Sequence, residues 1–132
     1  MTWLLDTCTV SDFVKGQAGV LARLKTTPPQ SISISAVTRM EIEYGLQLHP
    51  ARTEKLAPVI DAFLASITVL PFENADAKAA GTIRAVLQKR GRPIGAYDIM
   101  IAGTALTRGL TVVTSNVGEF DRIEGLRVEN WR

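Results

Sequence analysis

The segment Arg90-Gly-Arg-Pro-Ile-Gly-Ala-Tyr-Asp98-Ile-Met-Ile-Ala-Gly-Thr-Ala-Leu-Thr-Arg108 organises this chain. It begins as a polar, glycine-rich loop and continues as a helical run that is apolar on nearly every side. Asp98 is the only acid of that run and lies in its first turn. Burying a charge is costly unless the charge is paired or binds a metal ion. The question is therefore whether the fold brings other acids beside Asp98, with which it could bind a metal ion.

The composition predicts a single domain without a membrane span. The chain has 132 residues, of which 46% are hydrophobic, and this is enough for a core. No apolar run approaches the ~18 residues of a membrane helix, and we expect no signal peptide and a cytoplasmic location. The single cysteine, Cys8, excludes an intrachain disulfide and a cysteine-rich zinc site. A net charge of +2 neither requires nor excludes nucleic acid.

Short apolar strands alternate with helices along the chain. The predicted strands are residues 2–5, 31–34, 67–70 and 111–114, with a candidate edge strand at 126–128. The predicted helices are residues 9–15, 17–25, 35–48, 51–66 and 74–89, followed by the helix of Asp98, with Ser35 and Asn74 as the N-caps of the third and fifth helices. This alternation predicts an α/β fold with a largely parallel sheet.

Three acids and an asparagine are predicted to share one edge of that sheet. Asp6 follows the first strand, Asn116 follows the fourth, and Asp98 begins the helix before the fourth. Glu41 lies in the helix after the second strand. Ligands of parallel sheets bind at the carboxyl ends of the strands, so all four side chains could face one crevice.

Glu41 is unusual because its helical neighbours are apolar. At ~100° per residue, Val37, Glu41, Tyr44 and Leu48 share one face of the helix. The sequence therefore places this acid within an apolar stripe, which favours a functional role.

Clustered carboxylates suit hard cations such as Mg²⁺ or Mn²⁺. Without a cation, acids this close would repel one another and one would take up a proton. With one or two cations, such a site can bind a phosphodiester, activate water and stabilise the leaving oxygen. Zinc is disfavoured because His49 is the only histidine and there is no cysteine pair. The acids thus indicate a metal-dependent nuclease.

Ordinary structural roles are the alternative for each residue taken alone. Asp6 could be a turn residue, and Asp98 could be an acid that suits the helix dipole. Other polar residues are predicted to be structural: Asp12, Asp61 and Asp76 on solvated helix faces, Cys8 as a small buried residue near the site, and His49 at the surface of a helix end.

Five motifs cover nearly the whole chain in a recognisable order. They are Leu-Leu-Asp6-Thr, Ser-Ala-Val-Thr-Arg-Met-Glu41-Ile-Glu-Tyr-Gly, Gly-Arg-Pro-Ile-Gly-Ala-Tyr-Asp98-Ile-Met-Ile-Ala-Gly, Val-Thr-Ser-Asn116-Val-Gly-Glu119-Phe and Gly-Leu-Arg-Val-Glu-Asn-Trp131. Together they resemble the PIN domain, specifically the VapC toxins of bacterial toxin–antitoxin pairs.

The resemblance implies a single PIN domain over residues 1–132, with three α/β/α layers around a central, mainly parallel sheet of four to five strands. It also implies an Mg²⁺- or Mn²⁺-dependent endoribonuclease, a VapB-type antitoxin that neutralises it, a homodimer and a larger toxin–antitoxin hetero-oligomer. Asp6 and Asp98 match the acids assigned to the metal. Glu41 matches the third acid, which completes the site or orients water. Thr7 and Ser115 could hydrogen-bond these carboxylates.

Two positions depart from the family pattern. Cys8 stands where asparagine is frequent, and Asn116 occupies the fourth acidic position of many PIN domains. Several VapC toxins also have asparagine there, so activity is compatible with it, although a tightly held second metal is disfavoured. Glu119 could supply a replacement carboxylate through water.

The loop before Asp98 most resembles that of VapC toxins that cut the initiator tRNA in its anticodon loop. Single-stranded loops are the accessible part of a folded RNA. Four basic residues near this loop could contact phosphates or could form a solvated helix end, namely Arg84, Lys89, Arg90 and Arg92.

Three other functions are alternatives to this resemblance. A receiver-type signalling domain would need an acid pair near the first strand and a lysine after a late strand, yet no lysine follows residues 111–114. A haloacid-dehalogenase-like phosphatase would need Asp-x-Asp, but position 8 is Cys8. A catalytically impaired PIN module that only binds protein or RNA is kept open by Asn116.

Overall fold

The computed structural model describes residues 1–132 and consists of seven α-helices around a five-stranded sheet. The strands are β1 (Trp3–Leu5), β2 (Ile32–Ser35), β3 (Thr68–Leu70), β4 (Thr111–Val113) and β5 (Val128–Glu129). The helices are α1 (Thr7–Val14), α2 (Ala18–Thr26), α3 (Ala36–Leu48), α4 (Pro50–Ser66), α5 (Asn74–Lys89), α6 (Ala96–Arg108) and α7 (Val117–Phe120).

Every strand pair is parallel, in the order β3-β2-β1-β4-β5. The central strand β1 pairs on both sides, with Trp3 opposite Ile32 of β2 and Thr111 of β4. All carboxyl ends therefore meet at one edge. The edge strand β5 begins later than predicted because the N–H of Leu126 closes a turn onto the carbonyl of Ile123, at 3.4 Å.

The sheet separates two apolar cores, as expected for three layers. Leu4 and Val112 pack into one core with α5 and α6, while their neighbours Leu5 and Val113 pack into the other with α1, α2 and α4. Successive strand residues point to opposite faces, and here both faces are covered. The predicted PIN-like α/β/α fold is confirmed.

Helices α5 and α6 approach each other closely at Gly103. A Cβ at this position would lie 2.9 Å from the Asp76 carbonyl oxygen and 3.0 Å from the Ala80 nitrogen. No larger residue fits without separating the helices. This contact fixes α6, and with it the position of Asp98.

Two acids predicted on solvated helix faces are instead buried, so that prediction was wrong. Asp12 of α1 accepts two hydrogen bonds from Arg132, each of 2.9 Å. Asp76 of α5 pairs with Arg108 of α6. Arginines distant in sequence compensate both charges, which a local pattern does not show. Asp61, by contrast, is exposed as predicted.

The predicted cap of α5 was also wrong. The cap is Glu73, and Asn74 is the first helical residue. The carboxylate of Asp76 accepts the N–H of Glu73 at 2.8 Å, and this bond fixes where the helix begins.

The apolar stripe of α3 is buried only at its start. Val37 is in the core, but Tyr44 and Leu48 are 63% and 54% exposed. The 13 residues of α3 are longer than the four-residue strand β2 before it, so its later turns extend beyond the sheet. None of the helices is both long enough and apolar enough to traverse a bilayer.

Candidate metal and RNA site

Asp6 is the most buried acid at the carboxyl edge of the sheet. It directly follows β1, is 1% exposed, and caps α1 by accepting the N–H of Thr9 at 2.9 Å. Burial raises the pKa of Asp6, although hydrogen bonds from Thr114 and Thr9 act in the opposite direction. Thr114, a buried residue directly after β4, was missed by sequence reasoning; its position at a strand end was the available signal.

Asp98 lies in the first turn of α6 and faces the same crevice. Burial, followed by the charges of Asp6, Glu119 and Glu41, raises the pKa of Asp98 to about 6. Four carboxylates therefore share one electrostatic environment. The preceding loop passes beside this group, since a Cβ on Gly95 would lie 3.6 Å from Oδ2 of Asp98.

Glu41 of α3 is held by a hydroxyl from the opposite helix. The Thr7 hydroxyl at the start of α1 donates to Oε1 of Glu41 at 2.7 Å, and Thr38 lies 3.2 Å from the same hydroxyl. The predicted hydrogen bond between Thr7 and a site carboxylate is thus present, to Glu41. The Ser115 side chain makes no hydrogen bond to a carboxylate, because the adjacent Thr114 is the residue turned toward Asp6.

Asn116 and Glu119 form a pair at the far side of the site. The amide Nδ2 of Asn116 donates to Oε2 of Glu119 at 2.8 Å, and the Asn116 N–H donates to the Thr114 hydroxyl at 2.9 Å. The carboxylate of Glu119 is close enough to raise the pKa of Asp98. Asn116 therefore orients a carboxylate in this structure.

Cys8 lies at the mouth of the site rather than beneath it. The residue is exposed, so its predicted burial was wrong. It lies in the first turn of α1, which opens toward the crevice. Although the residue is exposed, its surroundings partly shield the thiol from water, and this desolvation, followed by the charges of Asp6, Asp98, Asp12 and Glu41, raises the pKa of Cys8 to about 11. Its thiol stays protonated at neutral pH.

The donor chemistry of the site fits a hard cation. The converging groups are carboxylate oxygens, which suit such an ion. Burial raises the pKa of both Asp6 and Asp98, and the charges of Asp6, Glu119 and Glu41 raise that of Asp98 further. No three acidic, histidine or cysteine side chains are arranged tightly enough to hold an ion together. The assignment of Asp6 and Asp98 to a metal ion stays a prediction, and the Thr7 hydroxyl holds the neighbouring Glu41.

Four exposed basic residues lie around the loop before α6, namely Arg84, Lys89, Arg90 and Arg92. Arg84 borders a cavity of about 310 Å³ together with Pro93, Ile94 and Ala96 of this loop. Arg90 lies 4.0 Å from Glu124, a distance at which exposed charges interact weakly. The basic residues thus surround the loop that leads to Asp98.

Arg122 holds the loop in place and was not identified from the sequence. Its Nη1 donates to the Pro93 carbonyl at 3.1 Å, across 29 residues of sequence. No local pattern reveals such a contact. The residue ties the segment after Glu119 to the segment before Asp98.

An apolar groove of about 250 Å³ begins at Glu41 and runs between α1, α3 and α4. Its apolar lining consists of Val10, Val14, Ile42, Leu46, Leu56 and Ile60. Three residues that can carry positive charge line it as well, namely Lys15, His49 and Arg52. His49 is exposed at the end of α3, as predicted.

Comparison with known proteins identifies the family. The PIN domain profile matches residues 3–126. The chain is 38% identical to the tRNA(fMet)-specific endonuclease VapC of Salmonella typhimurium over 131 residues, covering 99% of this chain and 98% of the relative. It is 34% identical to ribonuclease VapC2 of Haemophilus influenzae over 132 residues, covering 99% and 98%.

Solved structures agree with the sequence comparison. The DNA-bound VapBC of Salmonella typhimurium has a TM-score of 0.90 at 38% identity, covering 100% of this chain and 99% of that one. VapBC2 of Rickettsia felis, bound to a promoter DNA fragment, has a TM-score of 0.91 at 28% identity, covering 100% of both chains. With its carboxylates at the sheet edge and these full-length similarities, the chain belongs to the PIN-domain family and, within it, to the VapC ribonucleases.

Proposed function

We propose that this protein is a divalent-metal-dependent endoribonuclease toxin that cuts tRNA, with the anticodon loop of the initiator tRNA as the leading substrate and Mg²⁺ or Mn²⁺ as the cofactor. One observation carries the proposal: the carboxylates of Asp6, Glu119 and Glu41 lie close enough to Asp98 at one sheet edge that, together with burial as the larger cause, they raise its pKa to about 6. A relative 38% identical over nearly the full length is named a tRNA(fMet)-specific endonuclease, which supports the substrate.

The catalytic roles follow from where each side chain is held. Asp6 and Asp98 would hold the ion, and Glu41 would complete the site or orient the attacking water. The hydroxyl of Thr7 fixes Glu41 at 2.7 Å, and Asn116 fixes Glu119 at 2.8 Å. When bound, a divalent ion would polarise the phosphate and favour hydroxide at neutral pH. Glu119 could contact this site through water.

RNA would approach over the loop of residues 91–95. Phosphates are repelled by the four carboxylates, so attraction must come from cations around them. The exposed Arg84, Lys89, Arg90 and Arg92 border this loop and supply that attraction. Because these contacts are electrostatic and exposed, binding should weaken as salt is raised.

The proposed partner is a VapB-type antitoxin, within a hetero-oligomer built on a homodimer of this chain. Related structures are complexes described as VapBC, which supports this partner. We place its binding segment in the apolar groove between α1, α3 and α4. Since that groove begins at Glu41, a basic side chain of the segment could reach the carboxylates and displace the metal.

A cleavage assay tests the proposed function. Purified protein is incubated with initiator tRNA and with an unrelated folded RNA, in Mg²⁺, in Mn²⁺ and in excess EDTA. We expect one discrete cut in the anticodon loop with either metal, and none in EDTA, because Asp6 and Asp98 are the metal-holding residues. Cleavage that persists in EDTA, or none with either metal, contradicts the proposal.

The same assay decides a second candidate, a PIN module that binds without cutting. Asn116 at the fourth acidic position favours that candidate. It predicts RNA binding without cleavage at any metal concentration. Cleavage sensitive to EDTA rules it out.

The antitoxin groove is tested by Leu46→Glu, which places a charge in the apolar lining. We expect at least about tenfold weaker binding of a VapB-type antitoxin that neutralises the wild type, because the added carboxylate would lose its water when an apolar segment covers the groove. RNA cleavage should be unchanged. The readouts are antitoxin titration by calorimetry and cleavage in its presence.

Leu48→Glu is the matched control, since Leu48 lies on the same helix but is 54% exposed. It should bind antitoxin as the wild type does. If Leu46→Glu also binds normally, the groove is not the antitoxin site. Excess antitoxin should lower the affinity of the wild type for Mn²⁺, and unchanged Mn²⁺ binding would rule out displacement of the metal.

A further inference from the structure

The loop before α6 is held rigidly beside Asp98 but presents an open face. Of residues 91–97 only Ile94 is buried, and it anchors the loop in the core of α5 and α6. Arg122 holds the Pro93 carbonyl at 3.1 Å. Gly91 has a φ of +68°, which lets the chain turn at the end of α5. The loop is thus anchored through Ile94 and Pro93, while its other residues are exposed to solvent.

Tyr97 follows this loop in the first turn of α6, directly before Asp98, and 50% of its surface is exposed. The rest of α6 is largely buried, including Ile99, Ile101 and Ala102. The Tyr97 hydroxyl makes no hydrogen bond to the protein. An aromatic ring that neither packs in the core nor hydrogen-bonds is accessible to a ligand, and this one directly precedes Asp98 in the first turn of α6.

The charges of the site limit what such a ligand contact can be. Near Asp6, Asp98, Glu41 and Glu119, direct attraction of a phosphate is unfavourable without a cation. Stacking on a base involves no net charge and is compatible with nearby carboxylates. A single-stranded RNA offers unstacked bases whose π-faces suit a tyrosine ring.

We propose that Tyr97 is a stacking platform for the nucleobase next to the scissile phosphate of single-stranded RNA. This inference rests on the proposed function and extends it to a residue that positions substrate. The basic residues around the loop bind the backbone without regard to sequence. Stacking fixes which nucleotide step lies over Asp98.

The test compares Tyr97→Ala and Tyr97→Phe on a tRNA anticodon stem–loop and on the same RNA with an abasic nucleotide at the cut. For Tyr97→Ala we expect KM about tenfold higher with kcat within about twofold, because stacking on a protein ring contributes binding. Tyr97→Phe retains the ring and should behave as the wild type. The abasic RNA should raise KM for the wild type similarly, and should add no further loss in Tyr97→Ala.

The decisive observation is whether the effects of Tyr97→Ala and of the abasic nucleotide on KM are coupled or independent. If the alanine and abasic effects multiply independently, or if Tyr97→Ala matches the wild type, the ring does not contact that base. If light scattering shows that Tyr97→Ala changes the oligomeric state, and the KM change follows dissociation, Tyr97 is a protein contact and the inference is overturned.

The inference can fail separately from the proposed function. RNA binding is also measured by fluorescence anisotropy in EDTA, with the same two RNAs and variants. If the wild type cuts no RNA with any metal, the proposed function fails, and the binding comparison still decides whether Tyr97 stacks. If the wild type cuts but no coupling is found, only the inference fails.

Discussion

Asp98→Asn should fold as the wild type does and lose RNA cleavage by at least about 100-fold. Loss of residues that merely support metal ligands already costs 10- to 100-fold in many sites, so loss of a ligand should reach at least the upper value. The neutral amide removes one of the two groups proposed to hold the ion. Cleavage rates at saturating Mg²⁺, together with Mn²⁺ affinity by calorimetry, measure both consequences.

The stability of this variant should be equal to or greater than that of the wild type. The pKa of Asp98 is raised to about 6 by burial and by neighbouring acids, so its ionisation costs stability as the pH rises above its unfolded pKa of about 3.9, and the cost is complete above about pH 6. Asparagine has the same shape without the charge. A melting temperature at pH 8 that is not lower than the wild-type value would therefore accompany the loss of cleavage.

Asp61→Asn is the matched control, because Asp61 is an exposed acid on α4 away from the crevice. It should cut RNA at the wild-type rate. If Asp98→Asn does so as well in Mg²⁺, the assignment of the site is wrong. If Asp98→Asn unfolds, Mn²⁺ binding by Asp6→Asn becomes the second test, because Asp6 is the other residue proposed to hold the ion.

The convergence of Asp6 and Asp98 was predictable because it depends on topology alone. Carboxyl ends of parallel strands meet at one edge, whatever the side chains between them. Asp6 directly follows a strand and Asp98 lies in the first turn of a helix, and the hydrophobic pattern shows where both elements lie. Glu41 could be placed in the same way, through the cap at Ser35, which accepts the N–H of Val37 at 3.0 Å.

The supporting contacts were not predictable because they join distant segments. Arg132 reaches Asp12 across 120 residues, and Arg122 reaches Pro93 across 29. Local charge patterns describe neighbours three or four positions apart on one helix. The exposure of Tyr44 likewise depends on how far α3 extends beyond a short strand, which is a property of the assembled sheet.

Asp76→Ala should destabilise the protein by about 3 kcal/mol, because it leaves a charge and two hydrogen-bonding groups without their partner. Asp76 is 1% exposed and accepts hydrogen bonds from Arg108, Thr107 and the Glu73 N–H. The Arg108 side chain is 24% exposed, so water compensates part of its loss and the cost should fall at the lower end for buried pairs. Urea unfolding followed by circular dichroism measures the difference.

This cost should depend on pH in a defined direction. Burial alone would raise the pKa of Asp76, but the hydrogen bonds from Arg108, Thr107 and Glu73 outweigh burial and hold it below its usual value. An acid whose folded pKa is lowered stabilises the protein above its unfolded pKa of about 3.9, and this stability is lost as the pH falls through the folded pKa. The difference between wild type and Asp76→Ala should therefore be complete at pH 7 and shrink below about pH 4.

Asp61→Ala again provides the comparison, since an exposed acid should change the free energy of unfolding by no more than about 0.5 kcal/mol at either pH. A similar value for Asp76→Ala would mean that the Arg108 pair contributes nothing to folding.

The position of Asp76 also lets the same variant test whether the pair affects RNA cleavage. Its carbonyl contacts α6 at Gly103, and α6 carries Asp98. If the Asp76–Arg108 pair only adds stability, Asp76→Ala should lower RNA cleavage only at denaturant concentrations where unfolding begins. A loss of kcat in the folded protein would show that the pair also fixes the position of α6 at the proposed metal site.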